Sequence, residues 1–427
     1  MSARAGIVVT GTEVLSGRVA DANGPWVSQR LSELGVDVAH MVCVGDRAED
    51  MTTALRFFAG NGVDLIVTTG GLGPTADDMT AELVAEFAGR RMVLDEGMEQ
   101  RISEIVAEFA RRMKFDPEGL RDGTRKQAMV PEGSIALDPA GTAPGLVVET
   151  GEGPIVVVLP GPPRELQAMW PAAVASEPFA RILERSDDYA TASMKMFGIP
   201  ESTLAKSLRE IEEGGVDLSP LEITTCLRKG AELEIDVRYA ADAEPLREAL
   251  FDGLRERHAA VIYTETGETI DEIVAALLRG HRIATGESCT GGKLAGRLTD
   301  VPGASEYVAG GVVAYTNEAK SELLGVPADL IAAKGAVSPE VAKALAEGAI
   351  ARFGADLGVG ITGVAGPGGG TEAKPVGFVC FCIAAADGRT MAREVQLPGS
   401  REDVRERSVS VAMHMLRRFL LGDEPPF

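Results

Sequence analysis

The sequence predicts an α/β protein: two three-layer α/β domains with mainly parallel sheets, joined by a small α+β middle module. Three observations carry that reading. A chain of 427 residues exceeds what one ordinary core supports. Apolar strands alternate with amphipathic helices at βαβ spacing in two separate stretches. Between them lies a shorter run with strand-period alternation and its own helices. The predicted divisions are 1–172, 173–264 and 265–427.

In the first stretch, residues 5–10 (AGIVVT) form a buried strand, and 25–34 a helix with Trp26, Val27, Leu31 and Leu34 on one side. A second strand covers 37–44, a helix 48–59, and a third strand 64–69 ends in glycines. Helices are expected over 79–88 and 96–113, then a hairpin of 146–149 with 154–159, stopped by Pro160-Gly161-Pro162-Pro163. The middle module has strands at 194–197, 222–227, 232–239 and 260–263, with helices at 201–211 and 243–258. It shows no chemistry of its own, so a spacer or dimer-forming role is expected of it. The polar run 264–268 (TETGE) leads to a new α/β pattern. There we expect helices over 270–278, 292–298 and 339–353, the last with proline at its start. Strands are expected over 282–285, 308–315, 357–362, 376–386 and 390–397, and a long helix over 401–421 closes the chain.

Composition narrows the function classes. Hydrophobic residues make up 45% and charged residues 25%, the balance of a globular chain, while aromatics are only 5%. The net charge of −22 gives no general attraction for nucleic acid or anionic lipid, so neither a nucleic-acid nor a membrane partner is expected. The five cysteines are scattered and odd in number, which suits reduced thiols rather than a disulfide framework. Cys380 and Cys382 lie two apart on one strand face and read as core packing. The chain enters an apolar strand directly, without the apolar core of a signal peptide, and its longest uncharged apolar run (376–386) is too short to span a bilayer. A cytoplasmic location is expected.

The strongest chemical signal is Thr285-Gly286-Glu287-Ser288-Cys289-Thr290-Gly291-Gly292, which follows an apolar strand and opens a helix. Such a junction places a nucleophile at the C-terminal edge of a sheet, where helix N-terminal amides can stabilise an oxyanion. A plain chain-reversing turn would look the same. A serine nucleophile needs a base. His281 sits at the wrong end of the strand, and His414 reads as a helix-face residue. Lys320, following the next strand through Thr316-Asn317-Glu318-Ala319, could reach the same edge, although alone it reads as a solvated helix residue. A third loop, Gly360-Ile361-Thr362-Gly363-Val364-Ala365-Gly366-Pro367-Gly368-Gly369-Gly370, also follows a strand. Its glycines let backbone amides approach a ligand. Cys289 is the rival nucleophile, with a buried small residue as its plainer reading.

The set GESCTGG, AYTNEAK, GITGVAGPGGG and GSREDVR closely resembles the CinA C-terminal family over about residues 265–421. That resemblance implies a serine–lysine amidohydrolase that converts nicotinamide mononucleotide to nicotinate mononucleotide and ammonia, without a cofactor. Carried over, Ser288 is the nucleophile and Lys320 its base, acting neutral in a desolvated pocket. Tyr315 and Thr362 assist by positioning or proton transfer. Gly291, Gly292, Gly363 and Gly366 line the substrate, and Arg401 or Arg405 holds its phosphate, a fit for an arginine fork.

A second constellation ends the third strand: Thr68-Thr69-Gly70-Gly71-Leu72-Gly73-Pro74-Thr75-Ala76-Asp77-Asp78-Met79-Thr80. Gly70, Gly71 and Gly73 allow a phosphate or pterin close to the backbone, and Thr75 adds a hydroxyl. Asp77 and Asp78 suit either a helix cap or a divalent cation. Gly11-Thr12-Glu13 can face the same crevice. With DAN (21–23), RKQAMVP (125–131), GTAPG (141–145) and LPGPPRE (159–165), this set resembles the molybdopterin-binding fold in its CinA N-terminal branch, over roughly 1–172. The resemblance implies a metal-dependent ADP-ribose pyrophosphatase giving AMP and ribose 5-phosphate, with Asp77, Asp78 and Glu13 as metal ligands. Asp138 departs from the asparagine frequent before GTAPG, and an extra charge there could weaken the site. The whole chain is thus expected to be a bifunctional enzyme of pyridine-nucleotide recycling and a homodimer. The alternatives are a deamidase with an inactive N-terminal scaffold, or a molybdopterin-binding or regulatory protein connected with competence.

Overall fold

The computed structural model describes residues 3–113, 121–186, 189–228 and 230–423. The chain divides into two compact units, with the boundary after residue 188.

The first unit is built on a six-stranded sheet. Its order is Asp37–Val44, Arg4–Thr10, Leu65–Thr69, Ile155–Leu159, Gly145–Val148 and Ile135–Leu137. The first four strands run parallel, and the last two pair antiparallel. The central runs LIVTT and IVVVL are buried at every position, as strands covered on both faces must be. Alternate residues serve opposite layers. Ile7, Val9, Leu65 and Val67 pack with Val27, Leu31 and Trp170, whereas Val8 and Ile66 pack with Leu55, Phe58 and Val84. Residues 173–186, expected with the middle module, belong here instead. Ala173 and Phe179 are buried in the first of these cores, with Phe179 edge-on to Trp170 at 5.8 Å.

The second unit holds a four-stranded antiparallel sheet and a five-stranded mixed sheet. The smaller sheet runs Glu222–Leu227, Glu232–Ala240, Tyr189–Phe197 and Ile262–Thr264. The helices Glu201–Glu213 and Glu244–His258 contribute Leu204, Ile211, Leu250 and Leu254 to its core. The larger sheet is ordered Val308–Val313, Ile283–Glu287, Leu357–Gly363, Phe378–Ala385 and Thr390–Gln396, its first three strands parallel. Helix Pro339–Phe353 lies directly against this sheet. A Cβ at Gly358 or Gly360 would stand 2.1 or 1.9 Å from a carbonyl oxygen of that helix, so only glycine permits the approach. Helix Arg401–Leu421 packs with the opposite layer through Val404, Ala412 and Leu416.

The middle module is more than a spacer, because it shares a core with the closing helix. His414 is 2% exposed, stacks on Phe197 at 3.8 Å, meets Tyr263 edge-on, and lies 3.4 Å from the Glu232 carboxylate. The same carboxylate reaches Arg297 of helix Lys293–Leu298, which also pairs with Asp271. No helix among the described residues is long and apolar enough to cross a membrane.

Burial holds the His414 pKa below the usual histidine range despite Glu232. As pH falls through about 6.5 the unfolded chain therefore takes up this proton before the native state does, and stability declines over that window. Chemical denaturation across this range should show a steeper loss for the wild type than for His414→Gln, and equal slopes would contradict the assignment.

Candidate active site

In the second unit, strand Ile283–Glu287 lies between its two parallel neighbours, and the chain leaves it first to one side and later to the other. Such a reversal is where an open α/β sheet brings loops together at its C-terminal strand ends. The turn carrying Ser288, the loop after Val308–Val313 and the loop after Leu357–Gly363 all meet there. The Ser288 amide donates to the Ile361 carbonyl at 2.9 Å, tying the Ser288 turn to strand Leu357–Gly363.

Lys320 Nζ lies 3.1 Å from Ser288 Oγ. The lysine is only 2% exposed, and its amine also donates to the carbonyls of Ala314 (3.0 Å) and Tyr315 (3.3 Å). Desolvation lowers its pKa from the usual lysine range, opposed by weaker attraction from Glu318. Lys320 occupies helix Asn317–Leu324, an element that the sequence pattern does not delimit. Thr316 caps that helix through the Ala319 amide, fixing the angle at which Lys320 turns inward.

Glu287 is the residue that sequence reasoning missed. It is fully buried at the strand end, and its carboxylate accepts from the amides of Gly292 (3.0 Å), Leu294 (3.1 Å) and Ala295 (2.8 Å). The Thr285 hydroxyl adds a fourth hydrogen bond at 3.2 Å. These amides were expected to serve an oxyanion; Glu287 occupies them instead. Its signal in the sequence is a charged residue closing an apolar strand just before a glycine turn. Gly291 and Gly292 take the left-handed φ of +64° and +89° that the turn needs.

Arg405 braces this turn from above, donating to the carbonyls of Cys289 (3.1 Å) and Thr290 (2.9 Å). Arg401 instead is exposed, donating to the Gly366 carbonyl (2.7 Å) and the Tyr315 hydroxyl (2.8 Å). Tyr315 is 56% exposed. Thr362 is buried, and its hydroxyl donates to the Ala336 carbonyl at 2.7 Å, holding an adjoining loop. Gly363 fits closely against strand Phe378–Ala385, where a Cβ would stand 2.8 Å from Val379 Cγ2. Cys289 is buried in the core with its thiol pushed up to about 12, so it is protonated and packed rather than nucleophilic. Cys380 and Cys382 are likewise buried and pushed up to about 12, against Ala342 and Ala346.

The first unit has a comparable reversal beside strand Arg4–Thr10, and a cleft of about 550 Å³ opens there. Gly11, Glu13, Gly70, Gly71, Gly73, Asp77 and Asp78 all line it, together with Asp21, Asp46 and Glu165. Most of these acids serve the chain itself. Asp78 accepts from the Thr75 amide (2.9 Å) and hydroxyl (2.5 Å), and Asp46 from the Thr12 amide (2.9 Å). Asp21 accepts from the amides of Asn23 (2.9 Å) and Gly24 (3.0 Å), and the Thr75 hydroxyl lowers the pKa of Asp77. Among the described residues, no three His, Cys, Asp or Glu side chains form a group that could hold a metal ion. Glu13, Asp77 and Asp78 therefore share a cleft without making the ligand set expected of them. Asp138 is exposed and outside the cleft lining.

Residues 267–420 match the CinA C-terminal domain family, and residues 6–180 match a probable molybdopterin binding domain. The chain is 59% identical to a CinA-like protein of Mycobacterium sp. (strain MCS), over 98% of this chain and 99% of that one. It is 54% identical to a CinA-like protein of Mycobacterium tuberculosis (strain ATCC 25177 / H37Ra), over 99% of this chain and 98% of that one. The chain belongs to the CinA-like family. A solved structure, the competence/damage inducible protein CihA from Agrobacterium tumefaciens, is 39% identical over 34% of this chain and 93% of its own, with a TM-score of 0.34.

Two outcomes check this geometry. Replacing Glu287 by Gln removes the charge that three backbone amides serve, and should destabilise the protein by roughly 1.5–3 kcal/mol in urea denaturation. A neutral result would show that the turn holds itself. Iodoacetamide at neutral pH should label the exposed Cys43 and Cys226 and spare Cys289, Cys380 and Cys382 until unfolding. Equal native labelling of Cys289, read by mass spectrometry, would contradict its burial.

Proposed function

We propose that the C-terminal site of this family member hydrolyses the carboxamide of nicotinamide mononucleotide, giving nicotinate mononucleotide and ammonia. The observation that carries this reading is the buried lysine amine 3.1 Å from Ser288 Oγ. A neutral amine has two N–H bonds and one lone pair. The Ala314 and Tyr315 carbonyls accept the N–H bonds, which leaves the lone pair to receive the Ser288 proton. Oγ then bonds to the carboxamide carbon while its proton passes to Lys320. Collapse breaks the C–N bond, and Lys320 returns the proton to the departing ammonia. Water, deprotonated by the same amine, releases nicotinate and restores Ser288.

Arg401 is the better of the two phosphate candidates. It is exposed beside Tyr315, while Arg405 is engaged by two carbonyls of the Ser288 turn. Tyr315 and Thr362 fit positioning roles, the first through its contact with Arg401 and the second through the Ala336 loop.

For the first unit, the acid-lined cleft beside Gly70, Gly71 and Gly73 favours hydrolysis of ADP-ribose to AMP and ribose 5-phosphate. Among the described residues the acids form no group of three that could hold a metal ion, so a divalent cation there would have to be held in part by the substrate's own phosphate oxygens.

Purified protein incubated with nicotinamide mononucleotide should release ammonia. Ser288→Ala and Lys320→Met should abolish release, Cys289→Ala should retain it, and Arg401→Ala should raise KM more than it lowers kcat. Absence of ammonia from the wild type would overturn the reading. Because protonated Lys320 has no lone pair, kcat/KM should rise with pH through a single ionisation below the usual lysine range. A profile that is flat up to that range would contradict a lysine base.

A further inference from the structure

Six carboxylates line the N-terminal cleft, and Glu165 is set apart from the rest. Asp21, Asp46, Asp77 and Asp78 are held by the chain's own amides or hydroxyls. Glu13 is exposed. Glu165 is half-buried, and among the described residues its carboxylate makes no hydrogen bond or ion pair. Desolvation alone raises its pKa, which makes its carboxylate a better base than an ordinary glutamate.

Its position is fixed by the backbone around it. Helix Pro163–Val174 starts from the Pro160–Pro163 turn, and that turn is anchored to the crevice. Asn23 Nδ2 donates to the Gly161 carbonyl at 2.7 Å, and the Thr69 hydroxyl donates to the Pro160 carbonyl at 3.1 Å. The carboxyl group lies over Gly141, where a Cβ would stand 2.3 Å from Glu165 Oε1. Gly141 thus keeps the space that the carboxylate occupies at the cleft wall.

We propose that Glu165 is the general base of the N-terminal cleft, taking a proton from the water that attacks a phosphorus atom of a bound nucleoside diphosphate ester. This rests on the diphosphate-hydrolysis reading of that cleft. In the step, the water oxygen bonds to phosphorus and its proton moves to a Glu165 oxygen. The bridging P–O bond breaks, and its electron pair leaves with the departing phosphate monoester. Both products are monoesters, as hydrolysis of a diphosphate requires.

The test uses full-length protein with ADP-ribose and magnesium or manganese. Glu165→Gln keeps the shape of the side chain and removes its basicity. Its turnover should fall by about 10²–10⁴-fold, with calorimetric affinity for ADP-ribose unchanged. Gly141→Ala, which displaces the carboxylate, should also lower kcat more than it changes KM. Normal turnover in Glu165→Gln would overturn the role of Glu165 alone. Absence of ADP-ribose hydrolysis in the wild type would sink the underlying reading as well, so the two failures are distinguishable.

Discussion

The C-terminal site depends on taking one amine out of water without giving it a carboxylate partner. Lys320 is buried at the C-terminal ends of the parallel strands of a mixed sheet, and among the described residues no carboxylate lies within hydrogen-bond distance of its amine. Two backbone carbonyls and the Ser288 hydroxyl lie at hydrogen-bond distance from the amine. Charging an amine there is costly, so the surroundings favour its neutral form. The cost also falls on the fold. Below the lowered pKa the native state must hold a proton that the unfolded chain holds freely, so this group's contribution to stability improves as pH rises toward the usual lysine value.

A neutral lysine is useful only if the serine is held still against it. The turn is fixed from below by the Glu287 carboxylate and from above by Arg405. Glu287 satisfies amides at the start of helix Lys293–Leu298, and Arg405 satisfies carbonyls of the turn itself. Each charged group answers backbone polarity that the strand–turn–helix junction leaves unpaired. Arg297 then links the same short helix to Glu232 and so to the middle module. The middle module thereby joins the support of the Ser288 turn.

Much of this was legible in the sequence because strand ends, glycine turns and helix starts follow local rules. Strands Asp37–Val44 and Glu222–Leu227, and helices Pro339–Phe353 and Arg401–Leu421, occur at the bounds read from the sequence. The pairing of Ser288 with Lys320 was reachable once no histidine was placed to serve. Less local facts were hidden. Helix Asn317–Leu324 is short and weakly amphipathic, so periodicity did not reveal it. The role of Glu287 depends on amides up to eight residues ahead, and that of Arg405 on a turn 116 residues earlier. The acids of the N-terminal cleft looked like ligands by type, but their hydrogen bonds direct most of them inward to the chain.

Burial should make Lys320 lose its proton at a lower pH than ordinary lysines do. NMR titration of protein carrying isotope-labelled lysine side chains, with Lys320→Met identifying the resonance, measures this without reference to any substrate. One Lys320 signal should titrate below the remaining lysines. Titration of Lys320 together with the others, near the free value of about 10.4, would contradict it.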